Sequence, residues 1–393
     1  MKTVKYFSVL AISVLVLFFG SVFIACDHAS DGVTPSGPES MTSVDAITFL
    51  APVRIGINIS ASLDAFRDLN YYDETAWGNP RINQTLLNNI AAEGFDIVRI
   101  PITWIGYIGD APDYKISEER LRRVAEVVNM ARRAGLKVII NIHHDATYLD
   151  QFAQYGWLHV NQASQSSSER ERITNKFQII WRQIAEYFIN FGDYLIFESF
   201  NEVFSLQWPS PSMEMHDIIN DWNRVFVNTV RNTGGNNRSR FLIVKGYASD
   251  PEHTINRLII PSDPLNAVNR LIVSFHYYAP HEFTHGNRLT WGTASERAAV
   301  DRMFEDMGRT FKDRGIPVIL GEFGLRYNPA IANVQKDFLS HIVGSGHRHG
   351  IPSLYWCGGI IDDGFLLFDR NTGRLFPFME SYLQAMMNAL QQD

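Results

Sequence analysis

Short apolar runs separated by amphipathic stretches set the rhythm of this chain. Four of the runs that read as strands fall in the first half: Arg54–Asn58, Ile97–Ile100, Lys137–Ile142 and Tyr194–Phe200. Four more follow: Phe241–Lys245, Leu271–Phe275, Pro317–Leu320 and Ser353–Trp356. They are apolar throughout rather than alternating, which suits a parallel sheet covered on both faces. Between them lie segments with helical periodicity, such as Glu118–Ala134 and Glu171–Phe191, followed by the stop glycines Gly135 and Gly192. Eight strand–helix units at roughly 40-residue spacing predict an α/β fold, the (β/α)8 TIM barrel. A doubly wound open sheet is the alternative, but no glycine-rich phosphate loop follows the first strand.

The rhythm is absent at the N-terminus. Lys2 and Lys5 precede an almost unbroken apolar run, Tyr6–Ala25, which has the make-up of a targeting segment. A polar stretch then extends to about Val44 and reads as a flexible tether. The expected organisation is a signal segment over 1–25, a tether over 26–45 and a single domain over 46–393. The junction Phe23-Ile24-Ala25-Cys26 resembles the lipobox of bacterial lipoproteins, with Phe23 where leucine is usual. That resemblance implies cleavage before Cys26, a lipid on Cys26, and an exported, membrane-anchored protein. An uncleaved anchor is one alternative, since about 20 apolar residues can span a bilayer; plain secretion is the other.

Composition narrows the function classes. The 393 residues are 46% hydrophobic and 20% charged, an ordinary globular balance that permits one large barrel or two medium domains. A net charge of -7 argues against nucleic acid, whose phosphates require a basic face. The two cysteines, Cys26 and Cys357, lie in unrelated contexts, so no structural disulfide is expected and Cys357 reads as a buried free thiol.

In a barrel of this kind chemistry sits at the C-terminal ends of the strands. Here those ends are polar: Asn58, Arg99, His143-His144-Asp145, Asn201-Glu202, His276-Tyr277-Tyr278, Glu322 and Trp356. Two carboxylates ending two apolar strands, Glu202 and Glu322, suggest paired acid and nucleophile work. Plain salt-bridged carboxylates are the bland alternative. A cation near Glu322 would hold it ionised, and Arg99 is the candidate. Glu198 shares the parity of Glu202 and reads as a buried supporting carboxylate. His143-His144-Asp145 could suggest a metal, but strand neighbours point to opposite faces and no further metal-spaced cluster joins them. By the same alternation Tyr277 is expected to pack outward. Six of the eight tryptophans (Trp77, Trp104, Trp157, Trp208, Trp291 and Trp356) fall in strand-to-helix loops or at their start. Three or four of them, Trp356 and Trp77 first, are expected to face a cleft and offer a flat apolar face to what binds there.

These strand ends, in order, resemble the signature of glycoside hydrolase family 5: Arg99 in VRIP, His143-His144 in NIHHD, Asn201-Glu202 in SFNE, His276 and Tyr278 in SFHYYAP, Glu322 in GEFG, Trp356 in LYW. Trp77 in WGNP and the run FLLFDR (365–370) are similar to the branch holding endo-β-1,4-glucanases, xyloglucanases and mixed-linkage glucanases. The resemblance implies that Glu202 is the acid/base and Glu322 the nucleophile of a retaining double displacement, with carboxyls about 5–5.5 Å apart. It further implies that Asn201 binds the sugar 2-hydroxyl, Tyr278 orients Glu322, His276 sits by Glu202, and Trp356 floors the −1 subsite. The polysaccharide would be the only partner beyond the membrane, the catalytic domain would be monomeric, and no cofactor or metal is implied.

The chain departs from the family at Ile57, where relatives carry Trp, and at Ala61, where they carry Asn. Val203 replaces a usual proline, and Cys357-Gly358 replaces a usual Asp-Asn. These changes touch cleft walls and leave the glycan open. A β-mannanase on the same scaffold, or a glycan-binding lipoprotein that has lost catalysis, are the rival readings.

Overall fold

The computed structural model describes residues 33–67, 72–146, 156–205, 210–266 and 268–391. Eight parallel strands close into a barrel in sequence order. They are β1 (Ile55–Ile59), β2 (Ile97–Ile100), β3 (Lys137–Ile140) and β4 (Leu195–Glu198), then β5 (Leu242–Lys245), β6 (Leu271–Tyr277), β7 (Val318–Phe323) and β8 (Ser353–Cys357). β1 pairs with β8 from Ile55↔Ser353 to Ile59↔Cys357, so the open-sheet alternative does not hold. Almost every strand residue is buried, because helices cover the outside while side chains fill the inside. One helix ends where the sequence signals its stop: Glu118–Arg133 runs out before Gly135, whose φ of +83° favours glycine, whereas the helix expected over Glu171–Phe191 runs Ser167–Tyr187 and stops short of Gly192. Glycine is also required inside the wall at Gly56, where a Cβ would lie 2.5 Å from Ile97 Cγ2.

The lower interior is closed by the short helix Ala46–Leu50, capped by Asp45. Phe49 stacks on Phe241 with centroids 3.9 Å apart. Around them gather Ile97, Ile139, Ile196, Ile243, Ile272 and Ile319, one from each of six strands, in a core separate from the helix-facing one.

The expected tether over 26–45 needs correcting for its described part, because residues 33–45 lie on the barrel. Glu39 accepts from Gly192 N–H and the Tyr194 hydroxyl, both at 2.8 Å, and pairs with Arg132 at 2.6 Å. Thr42 donates its N–H to Asp193 and accepts at its carbonyl from Arg270. A polar composition was mistaken for a linker because the polar groups are satisfied by distant partners. Cys26 and the apolar leader lie outside the described residues. Among the described residues no helix is long and apolar enough to cross a membrane.

Phe49→Ala should lower chemical-denaturation stability by about 3 kcal/mol, the usual cost of removing a buried phenyl ring. Turnover under native conditions should stay intact, since the plug lies at the opposite end of the barrel from the polar strand ends.

Candidate active site

The polar strand ends converge on one cleft of about 850 Å3, lined among others by His143, Asn201, Glu202, His276, Glu322 and Trp356. Arg99, fully buried on β2, organises its floor. Its Nε and Nη2 donate to the two oxygens of Glu198 (3.0 and 2.6 Å), and Nη2 also donates to Asn201 Oδ1 (2.8 Å). Its Nη1 donates to Asn58 Oδ1 (2.9 Å) and Glu322 Oε1 (2.7 Å). All five guanidinium N–H bonds are thereby used. Asn58 is wholly buried and donates to the Gly321 carbonyl, so it supports the site without reaching the cleft. Arg99 is likewise a support and not a sugar contact.

Two carboxylates face each other above this floor. Glu322 Oε2 accepts from the Tyr278 hydroxyl at 3.1 Å. Glu202 Oε1 lies 2.6 Å from His276 Nδ1, which is 3.5 Å from Glu322 Oε2. Oxygens of Glu202 and Glu322 fall within 4.8 Å of one another. The Glu202 side chain is 26% exposed to the cleft, whereas that of Glu322 is 6% exposed.

Their environments drive the two apart. Burial between apolar walls, with the anion of Glu322 beside it, pushes Glu202 up to about 8. Burial also raises Glu322, against Arg99 and Lys245, which pull it down. The expected net depression of Glu322 by Arg99 is therefore not found; desolvation of the carboxylate outweighs it. Arg99 touches Glu322 and not Glu202, so a proton shared by the pair resides on Glu202. Glu198 behaves oppositely. Burial would raise it, but Arg99 and Lys245 hold it down at about 2.

His143 and His144 both line the cleft, against the strand-alternation argument. β3 stops at Ile140, so the alternation has ended before these residues. His143 is buried, takes an amide contact from Asn141 at 3.2 Å, and lies parallel to Trp356 at 5.8 Å. His144 is more exposed and sits edge-on to His143 and 3.7 Å from Asp64. Asp64, His143 and His144 are near enough to share a cation, as are Glu202, His276 and Glu322. Sequence spacing did not bring Asp64 into that group. Hydrogen bonds account for its placement: Asp64 accepts from Ser60 and from Ser62 N–H, both at 2.8 Å.

The tryptophans need the largest revision. Trp356 lines the cleft as expected. Among the described residues Trp77 meets the site through the His144 ring, 5.5 Å away, while its indole N–H donates to the Phe66 carbonyl. Trp104, Trp157 and Trp291 are packing residues, buried against Asn141, Asp145 and Phe338 respectively. Trp208 lies outside the described residues. A position in a strand-to-helix loop does not tell which side of the loop a ring faces. Tyr277 lines the cleft while also packing on the helix-facing core, where β6 shifts register after Phe275. Cys357 is the expected buried free thiol.

Four contributors were not picked out from sequence. Lys245 ends β5 and is wholly buried between Glu198 and His276; its signal was a charge closing the apolar run LIVK. Asn141 donates to Glu198 at 3.1 Å. His281 and His285 also line the cleft, with their rings stacked 4.2 Å apart.

A closed parallel barrel carrying a pair of glutamates in an open cleft is an architecture of glycoside-cleaving enzymes. Residues 62–360 match the model of the cellulase family, glycosyl hydrolase family 5. The chain is 30% identical to endoglucanase A of Paenibacillus barcinonensis, over 99% of this chain and 100% of that protein. It is 32% identical to a xyloglucan-specific endo-beta-1,4-glucanase of Bacteroides ovatus, over 89% of this chain and 71% of the relative. Among solved structures, a Bacteroidetes-affiliated family 5 cellulase linked with a polysaccharide utilization locus superposes with a TM-score of 0.84 at 34% identity, covering 89% of this chain and 94% of that one. A broad-specificity endoglucanase from Bacteroides salanitronis gives 0.83 at 31% identity, over 91% and 98%. The chain belongs to glycosyl hydrolase family 5 and is a glycoside hydrolase.

Glu198→Gln should remove the anion that neutralises Arg99 and Lys245 and cost about 3 kcal/mol of stability. Because the folded-state pKa of Glu198 is depressed to about 2, its contribution is present above its unfolded value and lost as pH falls toward 2. The acid limb of a stability–pH profile should therefore be shallower in the variant than in the wild type.

Proposed function

We propose that the protein is a retaining endo-acting β-1,4-glucanase, working on cellulose-like, mixed-linkage or xyloglucan chains by double displacement. The observation that carries this reading is the short approach of Glu202 and Glu322, with oxygens within 4.8 Å, in environments that keep a proton on one of them. An inverting pair stands about 6.5–9.5 Å apart to admit a water, so the short spacing favours direct attack. Glu322 attacks the anomeric carbon while Glu202 gives its proton to the leaving glycosidic oxygen. Once Glu322 is esterified its charge is gone and the proton affinity of Glu202 falls; Glu202 then takes a proton from the incoming water, whose oxygen bonds to the anomeric carbon as the Glu322 carboxylate leaves. Asn201, whose Oδ1 is taken by Arg99, has its amide N–H groups left for the sugar 2-hydroxyl. Trp356 offers an apolar face beneath the ring at the same site. The names of the relatives support a glucan substrate over mannan.

A reducing-sugar assay on barley β-glucan, xyloglucan and mannan tests the substrate class; release from mannan alone would overturn the glucan reading. Glu202→Gln and Glu322→Gln should each lower kcat by several orders of magnitude with the fold intact, and wild-type rates in either would sink the assignment. The anomer first released should keep its configuration by NMR. Activity needs Glu322 ionised and Glu202 protonated, so kcat/KM should fall as pH rises through about 8.

We also propose export with a lipid on Cys26, supported by the Lys2/Lys5 and apolar leader pattern and the FIAC junction. Metabolic fatty-acid labelling should mark the wild type and not Cys26→Ala; equal labelling of both would refute it.

A further inference from the structure

Lys245 closes β5 with a side chain from which water is wholly excluded. Its Nζ lies 2.6 Å from His276 Nε2 and 3.4 Å from Glu198 Oε1. An ammonium has donors and no acceptor, so Nε2 must accept from it. The single proton of the neutral ring is then on Nδ1, where it meets Glu202 Oε1 at 2.6 Å. With Oε1 occupied as an acceptor, a protonated Glu202 must carry its proton on Oε2.

We propose that Lys245 is a positioning residue for the acid step: by setting the His276 tautomer it keeps the proton of Glu202 on the oxygen left free for the glycosidic bond. This inference rests on Glu202 being the acid. Without the ammonium, the ring can carry its proton on Nε2 and accept from Glu202 at Nδ1, which turns the catalytic proton away from the substrate. The charged groups facing Lys245 are Glu198 and Glu202 from β4 and the loop after it, Arg99 from β2 and Glu322 from β7. The His276 ring, from β6, is kept neutral by burial, with Lys245, Arg99 and His143 adding to the effect. Burial brings Lys245 itself down to about 8. Its hold on the ring is therefore complete below that pH and relaxes above it.

The test uses the whole chain with 15N-labelled histidine, the His276 signals being assigned by their loss in His276→Gln. Near neutral pH the wild type should show a protonated Nδ1 and an accepting Nε2, and Lys245→Met should shift the ring toward Nε2–H. On glucan, Lys245→Met should lose about 10- to 100-fold in kcat, part of the usual contribution of a general acid. An aryl glucoside with a nitrophenolate leaving group, which needs little proton assistance, should be largely spared, and Lys245→Arg should recover much of the loss. A wild-type ring protonated at Nε2, or equal losses on both substrates with an unchanged ring, would overturn the proposal. Should Lys245→Met fail to fold, the wild-type ring at neutral pH decides: a protonated Nδ1 with an accepting Nε2 sustains the proposal, and a proton on Nε2 overturns it. If the wild type cuts no glucan, the functional reading falls, while the ring signals still judge this one.

Discussion

A single buried guanidinium holds the working end of this barrel together. Arg99 spends its five N–H bonds on Glu198, Asn201, Asn58 and Glu322, drawn from three other strands and the loop just beyond one of them. A charge so deep is tolerated only when paired and fully hydrogen-bonded, and Glu198 supplies the balancing anion at 2.6 Å. The arrangement sets the position of Glu322 and the orientation of the Asn201 amide together. It also explains why a carboxylate that never meets the sugar sits on β4.

The electrostatic consequence is a division of labour between two like residues. Both glutamates are pushed toward the neutral form by burial, yet only Glu322 touches Arg99. One therefore carries the proton and the other the charge, as paired carboxylate chemistry requires. Lys245 and His276 extend the same network on the far side of Glu202. The polar groups of the floor thus form one connected set in which each member constrains the protonation of the next.

Much of this was legible along the chain because each strand ended in chemistry the strand itself did not need. Arg99, Asn201-Glu202, His276, Tyr278 and Glu322 announced themselves as polar residues closing apolar runs. Lys245 carried the same signal and was passed over, because a lysine after LIV also reads as an ordinary solvated end. The loop tryptophans misled in the opposite direction. Trp104, Trp157 and Trp291 are large apolar rings in loops, yet each finds a buried seat, two of them using the indole N–H to fix it.

Sequence alone determined the eightfold strand–helix rhythm, since parallel strands buried on both faces must be apolar throughout, and it determined which strand mouths carry charge. Tertiary structure decided how those charges act. Whether Glu322 sits high or low depends on how burial weighs against Arg99, a distance and not a residue type. Whether His143 and His144 share a face depends on where β3 stops, and whether residues 33–45 hang free depends on Glu39 finding Tyr194 and Arg132 more than 90 positions away. Periodicity is local and can be read in order. Pairing energies belong to groups that meet only when the barrel closes.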